Sequence, residues 1–210
     1  MRNTPIVRLD GTAVPVMRPN IDTDALAPSR VRMSVGAADT SYALFREWRD
    51  ADPQFVLNRP ERQGAVFMIG LENFGCGSSR ETAVWALRDS GFQCVVAPSF
   101  GEIFQNNCIR NGIVPVRLPR EAVVALGQAS ENDPALSLHL DMEAGKLTTV
   151  EGFREGFDLE PRARQMLMKG LDEVGLALMH RPAIDAFRAR QREATPWVYN
   201  LGRDGYDVQQ

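Results

Sequence analysis

The chain has 210 residues, 44% of them hydrophobic, and its 24 basic and 27 acidic side chains leave a net charge of −3. That apolar content suffices for one globular domain, while the scattered, slightly acidic charge excludes an electrostatic footprint for nucleic acid and no run of roughly 18 apolar residues reads as a membrane span. The N-terminal Met1-Arg2-Asn3-Thr4-Pro5 lacks the apolar stretch of a secretion signal, and Cys76, Cys94 and Cys108 form no C-x-x-C pair, so a cytoplasmic protein without a metal or disulfide framework of its own is expected.

In chain order, Asn20-Ile21-Asp22-Thr23-Asp24-Ala25-Leu26-Ala27-Pro28 places acidic and hydroxyl groups in a loop, where aspartates ordinarily bond nearby backbone N–H groups. Residues 29–64, rich in charge, proline and small residues, read as an excursion from the core with one helix around Ser41 to Arg49. The apolar run Ala65 to Gly70 predicts a buried strand, and the spacing of Ala83-Val84-Trp85-Ala86-Leu87 predicts a helix packed along one face and stopped by Gly91. A second strand follows over Gln93 to Ala97, then a helix over Gly101 to Asn111 with Ile103, Phe104 and Cys108 near one face. Ile113 to Leu118 is a third strand, in which Pro115 favours an edge. Further on come a helix from Pro119 to about Gln128, alternating strands over 136–142 and 147–153, and a helical tail whose Met166-Leu167-Met168 suits core packing. Thr195 to Gln210 has no periodicity, as in a loose end or a segment that crosses onto a partner. Strands alternating with helices predict an α/β core.

The segment Glu72-Asn73-Phe74-Gly75-Cys76-Gly77-Ser78-Ser79-Arg80-Glu81 joins the first of these strands to its helix. Ser78 and Glu81 have the spacing of a capping box, the glycines let N–H groups converge on an anion, and the planar fork of Arg80 matches a carboxylate bidentately. The expected ligand is an oxyanion. Residue by residue, the plainer alternative is a cap, a turn and a solvated arginine. A phosphate loop is disfavoured because no Lys-Ser or Lys-Thr follows the last glycine, and a dinucleotide fingerprint because Arg80 holds the place of its third glycine. Cys76 could act as a thiolate nucleophile, but the two histidines offer it little: His139 alternates onto the polar face of its strand, and His180 lies far along the chain.

Four blocks together, Asn20-x-Asp22-Thr23-Asp24, Asn73 to Glu81, Ala97-Pro98-Ser99-Phe100 and Asn111-Gly112-Ile113-Val114-Pro115, resemble the small subunit of 3-isopropylmalate dehydratase, the counterpart of the aconitase swivel domain. The resemblance runs from about residue 6 to 190. It implies an α/β swivel domain of mixed β/β/α layers, with a mobile excursion near the N-terminus and a helical C-terminal tail, in a single domain over 1–210 whose last residues, 191–210, are an extension. It implies a hydro-lyase that is active only with an iron-sulfur large subunit: 2-isopropylmalate and 3-isopropylmalate interconvert by dehydration and rehydration in leucine biosynthesis. The 4Fe-4S cluster belongs to that partner and none to this chain.

Carried over by position, the resemblance makes Ser78 the catalytic base and Asp24 the acidic residue that orients a histidine of the large subunit. Ser79, Arg80, Arg32 and Thr23 become substrate contacts. The chain departs from the family pattern at Thr82-Ala83-Val84, where histidine-alanine is usual, and at Ser29-Arg30-Val31-Arg32-Met33-Ser34, where an aromatic-leucine pattern is common. Arginines there would welcome a third carboxylate or lie in solvent. The alternatives are therefore a related hydroxy-diacid, of the citraconate or homoaconitate type, or a noncatalytic diacid-binding module.

Overall fold

Alternation along short strands divides the interior into two layers of core. The computed structural model describes residues 3–30, 39–78 and 80–200. It divides into two compact units, Met1–Asp172 and Glu173–Gln210.

The first unit holds two four-stranded sheets. β2 (Ala13–Val16), β3 (Phe67–Gly70), β4 (Cys94–Ala97) and β5 (Val114–Arg117) lie in that order and are all parallel. β1 (Arg8–Gly11), β6 (Leu138–Asp141), β7 (Lys146–Thr149) and β8 (Arg154–Gly156) form the antiparallel second sheet. Successive side chains of a strand point to opposite faces. Phe67, Ile69, Cys94 and Val96 therefore meet Leu9, Leu138, Leu140 and Leu147 of the antiparallel sheet. Met68, Val95 and Ala97 face the other way, onto Ala83, Val84 and Leu87 of helix α3 (Glu81–Asp89) and Phe104 and Cys108 of α4 (Glu102–Arg110). The layers are thus β/β/α, as expected. Pro115 sits on β5, an edge strand, where its missing N–H costs the sheet nothing. The outer face of the antiparallel sheet is polar, and His139 Nδ1 lies 2.6 Å from its cross-strand neighbour Asp10.

The remaining helices of this unit are α1 (Thr23–Leu26), α2 (Arg46–Ala51), α5 (Arg120–Asn132) and α6 (Pro161–Lys169). Several boundaries depart from the sequence expectation. The helix expected over Ser41 to Arg49 is broken: a 3₁₀ turn, Ser41–Ala43, is separated from α2 by Phe45 with φ of 49°. The gain is burial, since the Phe45 ring is wholly enclosed and lies 5.1 Å from Trp48 and 5.7 Å from Phe55, enough to offset roughly 1–2 kcal/mol of left-handed backbone. The strand expected over 147–153 is a hairpin, because Gly152 turns the chain with φ of 101° and delivers β8. α5 runs four residues beyond Gln128. On α4, Phe104, Asn107 and Cys108 are buried, whereas Ile103 is exposed. The stop at Gly91 is as expected: its N–H bonds to Arg88 and that of Phe92 to Leu87, the paired bonds of a left-handed glycine cap.

Two polar anchors tie the excursion to this core. Arg62, with a side chain only 1% exposed, donates to the carbonyls of Ala13 at 3.0 Å and Ser130 at 2.8 Å. Thr40, also buried, donates its N–H and hydroxyl to Asp89 at 2.9 and 2.7 Å.

The second unit contains α7 (Glu173–Leu178), α8 (Arg181–Ala194) and α9 (Pro196–Asn200). None of its described side chains is buried. No helix among the described residues is long and apolar enough to cross a membrane.

Burial works to raise the Asp89 carboxyl, but the two bonds from Thr40, helped by Arg88, hold it below its ordinary value. That contribution to stability is present in full above the ordinary carboxyl pKa and is lost as the pH falls through the folded-state value. Replacing Asp89 by alanine is expected to cost about 1–3 kcal/mol at neutral pH. The gap between wild type and variant in urea midpoint should close on acidification.

Candidate active site

Three loops leave the carboxyl ends of β2, β3 and β4 on one edge of the parallel sheet, the place where open α/β sheets gather their ligands. The first two run alongside each other: Asn20 N–H donates to Glu72 at 2.8 Å, Gly75 N–H to Ile21 at 2.7 Å and Thr23 N–H to Cys76 at 3.0 Å. Asn20 and Asn73, both left-handed, join their side-chain amides at 2.9 Å. The third loop closes on the second, since Phe74 N–H donates to the Ser99 carbonyl at 3.0 Å and Gly101 N–H to Phe74 at 2.9 Å.

Packing explains why this turn is rich in glycine. Phe74 is fully buried against Phe100 and Phe104, with centroids 6.4 and 5.6 Å away. Gly75 has φ of 72°, and a Cβ there would lie 2.1 Å from the Phe104 ring. A Cβ on Gly101 would lie 2.5 Å from the Gly75 carbonyl oxygen, and backbone cannot swing aside as a side chain can. In the sequence Phe74 belongs to the motif and Gly101 opens a predicted helix; only the tertiary contacts give the two residues their packing roles.

On this platform Ser78 is exposed, and among the described residues its hydroxyl has no hydrogen-bond partner. Arg80 binds Asp24 through Nη1 and Oδ1, with the two side chains 30% and 55% exposed. The same Oδ1 accepts the Ser29 N–H at 3.0 Å; this bond and the one from Arg80 hold the Asp24 carboxyl below its ordinary range. Asp22 caps α1 by accepting from Ala25 N–H at 2.7 Å. Both aspartates therefore do the loop chemistry expected of them, and Asp24 adds an ion pair.

The capping box does not form. α3 begins at Glu81 with Arg80 as its N-cap, which leaves Ser78 two residues too early to cap, and Glu81 turns aside to accept from Asn111 Nδ2 at 3.0 Å. The Ser78 hydroxyl is thereby left without a capping role. Thr23, expected as a substrate contact, is 3% exposed and turned inward, its hydroxyl donating to the Ser78 carbonyl at 2.9 Å. Arg30 is paired with Glu47 at 2.7 Å. Ser79 and Arg32 lie outside the described residues.

The cysteines are poor nucleophiles. Desolvation and the nearby Asp22 push the half-buried Cys76 thiol up, and burial pushes Cys94 and Cys108 well above the usual thiol range. A cysteine hydrolase has no support in this arrangement.

Residues 3–121, just over half of the chain, match the family of aconitase C-terminal domains. The small subunit of 3-isopropylmalate dehydratase from Rubrobacter xylanophilus is 44% identical over 189 residues, covering 90% of this chain and 96% of that protein. The chain belongs to the family of 3-isopropylmalate dehydratase small subunits. The relative from Cupriavidus necator is also 44% identical, over 90% of this chain and 95% of its own. A crystal structure of 3-isopropylmalate dehydratase from Methanocaldococcus jannaschii superposes with a TM-score of 0.62, covering 86% of this chain and 99% of that one at 24% identity. That likeness shows the swivel fold.

Replacing Gly101 by alanine should lower stability by about 1–3 kcal/mol, because the clash falls on backbone. A thermal midpoint unchanged from wild type would show that the three loops can separate at no cost.

Proposed function

We propose that this chain is the serine-bearing subunit of a cytoplasmic 3-isopropylmalate dehydratase in leucine biosynthesis, working in a heterodimer with a large subunit that carries a 4Fe-4S cluster. The observation that carries the assignment is an exposed Ser78 hydroxyl, without a partner among the described residues, two residues from a guanidinium pinned by Asp24, in a chain of this family. Among the described residues no group of three or more His, Cys, Asp or Glu side chains could hold a metal. The cluster is assigned to the partner because the relatives of this chain are the small subunits of their enzymes.

The net chemistry breaks a C–H and a neighbouring C–OH bond, forms the alkene, and returns water with the two positions exchanged. Ser78 Oγ takes the proton from the carbon beside a carboxylate and gives it back in the reverse step. A neutral serine is too weak a base, so the proton is taken by the Ser78 alkoxide, whose negative charge the guanidinium and the N-terminal end of α3 would stabilise. Among the described residues Arg80 gives Asp24 one bond, so the rest of its fork is proposed to take a substrate carboxylate. The Ser29 N–H and Arg80 Nη1 both bond Asp24 through Oδ1, and Oδ2 is the oxygen proposed to accept from a histidine of the large subunit. Ser79 and Arg32 complete the proposed contacts with substrate. The pairing of Arg30 with Glu47 leaves one cation fewer for a third carboxylate, which favours a substrate with an apolar substituent over a tricarboxylate.

Reconstitution with the large subunit tests this. The chain alone should not turn over isopropylmalate, and Ser78→Ala in the assembled enzyme should lower kcat by about 10²–10⁴-fold while complex formation on size exclusion persists. Wild-type turnover by that variant removes Ser78 from the chemistry. Arg80→Lys, which loses the fork, should raise KM for the diacid at least tenfold.

A further inference from the structure

Thr23 is a buried residue whose hydroxyl is committed to the backbone of the proposed base. Its Oγ1 reaches the Ser78 carbonyl across 55 residues of sequence at 2.9 Å, while its own N–H is held by Cys76 at 3.0 Å. The carbonyl of Thr23 in turn accepts the Ala27 N–H at 3.0 Å, so α1 anchors the donor. Between these contacts the turn passes close overhead: a Cβ on Gly77, where φ is 87°, would lie 3.5 Å from Asp22 Cβ and 3.9 Å from Thr23 Oγ1.

Gly75 and Gly77 give this turn no side chains with which to stiffen itself. Ser78 also precedes the first helical residue by three, so α3 does not set its conformation. We propose that Thr23 is a positioning residue for Ser78, fixing the backbone on which the base stands through its bond to the Ser78 carbonyl. The proposal rests on the reading of Ser78 as base. It assigns Thr23 no contact with substrate. Arg80 is held separately, by Asp24, so losing the threonine hydroxyl should disturb proton transfer and leave carboxylate binding alone.

The test uses the reconstituted enzyme with four variants of this chain. Thr23→Val keeps the shape and removes the donor, and Thr23→Ser keeps the donor. Thr23→Ser and Thr23→Ala differ by the hydroxyl alone, so their ratio reads its effect even if valine prevents folding. Displacement of a reacting group by about 1 Å costs on the order of 10²-fold. The expected result is a kcat loss approaching that size for Val, and for Ala relative to Ser, with KM within about twofold and Ser close to wild type. Wild-type kcat in Val and Ala overturns the proposal. A rise in KM with kcat unchanged would make Thr23 a substrate contact instead, and equal losses in Ser and Ala would make its role packing. Ser78→Ala, run alongside, separates the two readings: full turnover there defeats the assignment of the base, whereas loss there with unaffected Thr23 variants defeats the positioning role alone.

Discussion

The close approach of Gly101 to the Gly75 carbonyl is the constraint on which the site depends. With no side chain between them, the loop after β4 lies against the loop after β3, and Phe74 can enter the aromatic pocket of Phe100 and Phe104. Once Phe74 is buried, the residues beyond it have little freedom. The Ile21 carbonyl captures Gly75 and the Cys76 carbonyl captures Thr23, so the two loops run as a short parallel pair with Ser78 at its open end. The hydroxyl is presented by packing some distance away from it, as in sites built on rigid elements.

Work is divided between neighbouring residues of one short loop. Asp22 caps α1, Thr23 turns inward to the Ser78 carbonyl, and Asp24 turns outward to Arg80. Three adjacent side chains with different directions can do this because a helix starts at Thr23 and rotates each successive residue by roughly 100°. The same loop thus holds Ser78 through its backbone and Arg80 through its charge, without making either depend on the other.

The α/β core was readable in the sequence because its signals are local, namely short apolar strands, a glycine stop at Gly91 and a proline that an edge strand accepts, whereas the β/β/α layering came only with the resemblance and β1 and β2 went unread. The motif turn suggested an anion site from its residues and, by resemblance, the base and clamp now proposed. What escaped was set by tertiary contact. Phe45 breaks an otherwise plausible helix because its ring finds Trp48 and Phe55. Arg62, in a stretch that reads as solvated loop, is buried because two carbonyls 117 residues apart in sequence converge on it. Thr23 looked like a substrate contact because sequence names a residue's chemistry but not its direction, and Glu81 looked like half of a capping box until Asn111 proved the nearer partner.

Exposure explains why such a site would need a second subunit. The Arg80–Asp24 pair is open to solvent, and water screens both its field and any charge developing on Ser78 Oγ. Coulomb interactions at a few ångströms are several-fold stronger once water is displaced. In the proposed heterodimer the large subunit would therefore contribute by covering this edge of the sheet as well as by what it brings to the substrate. In that proposal this chain would hold Ser78 and Arg80 in place beforehand and so spare the assembled enzyme their reorganisation. Lowering the dielectric around groups already in place would then add to the stabilisation of negative charge on Ser78 Oγ.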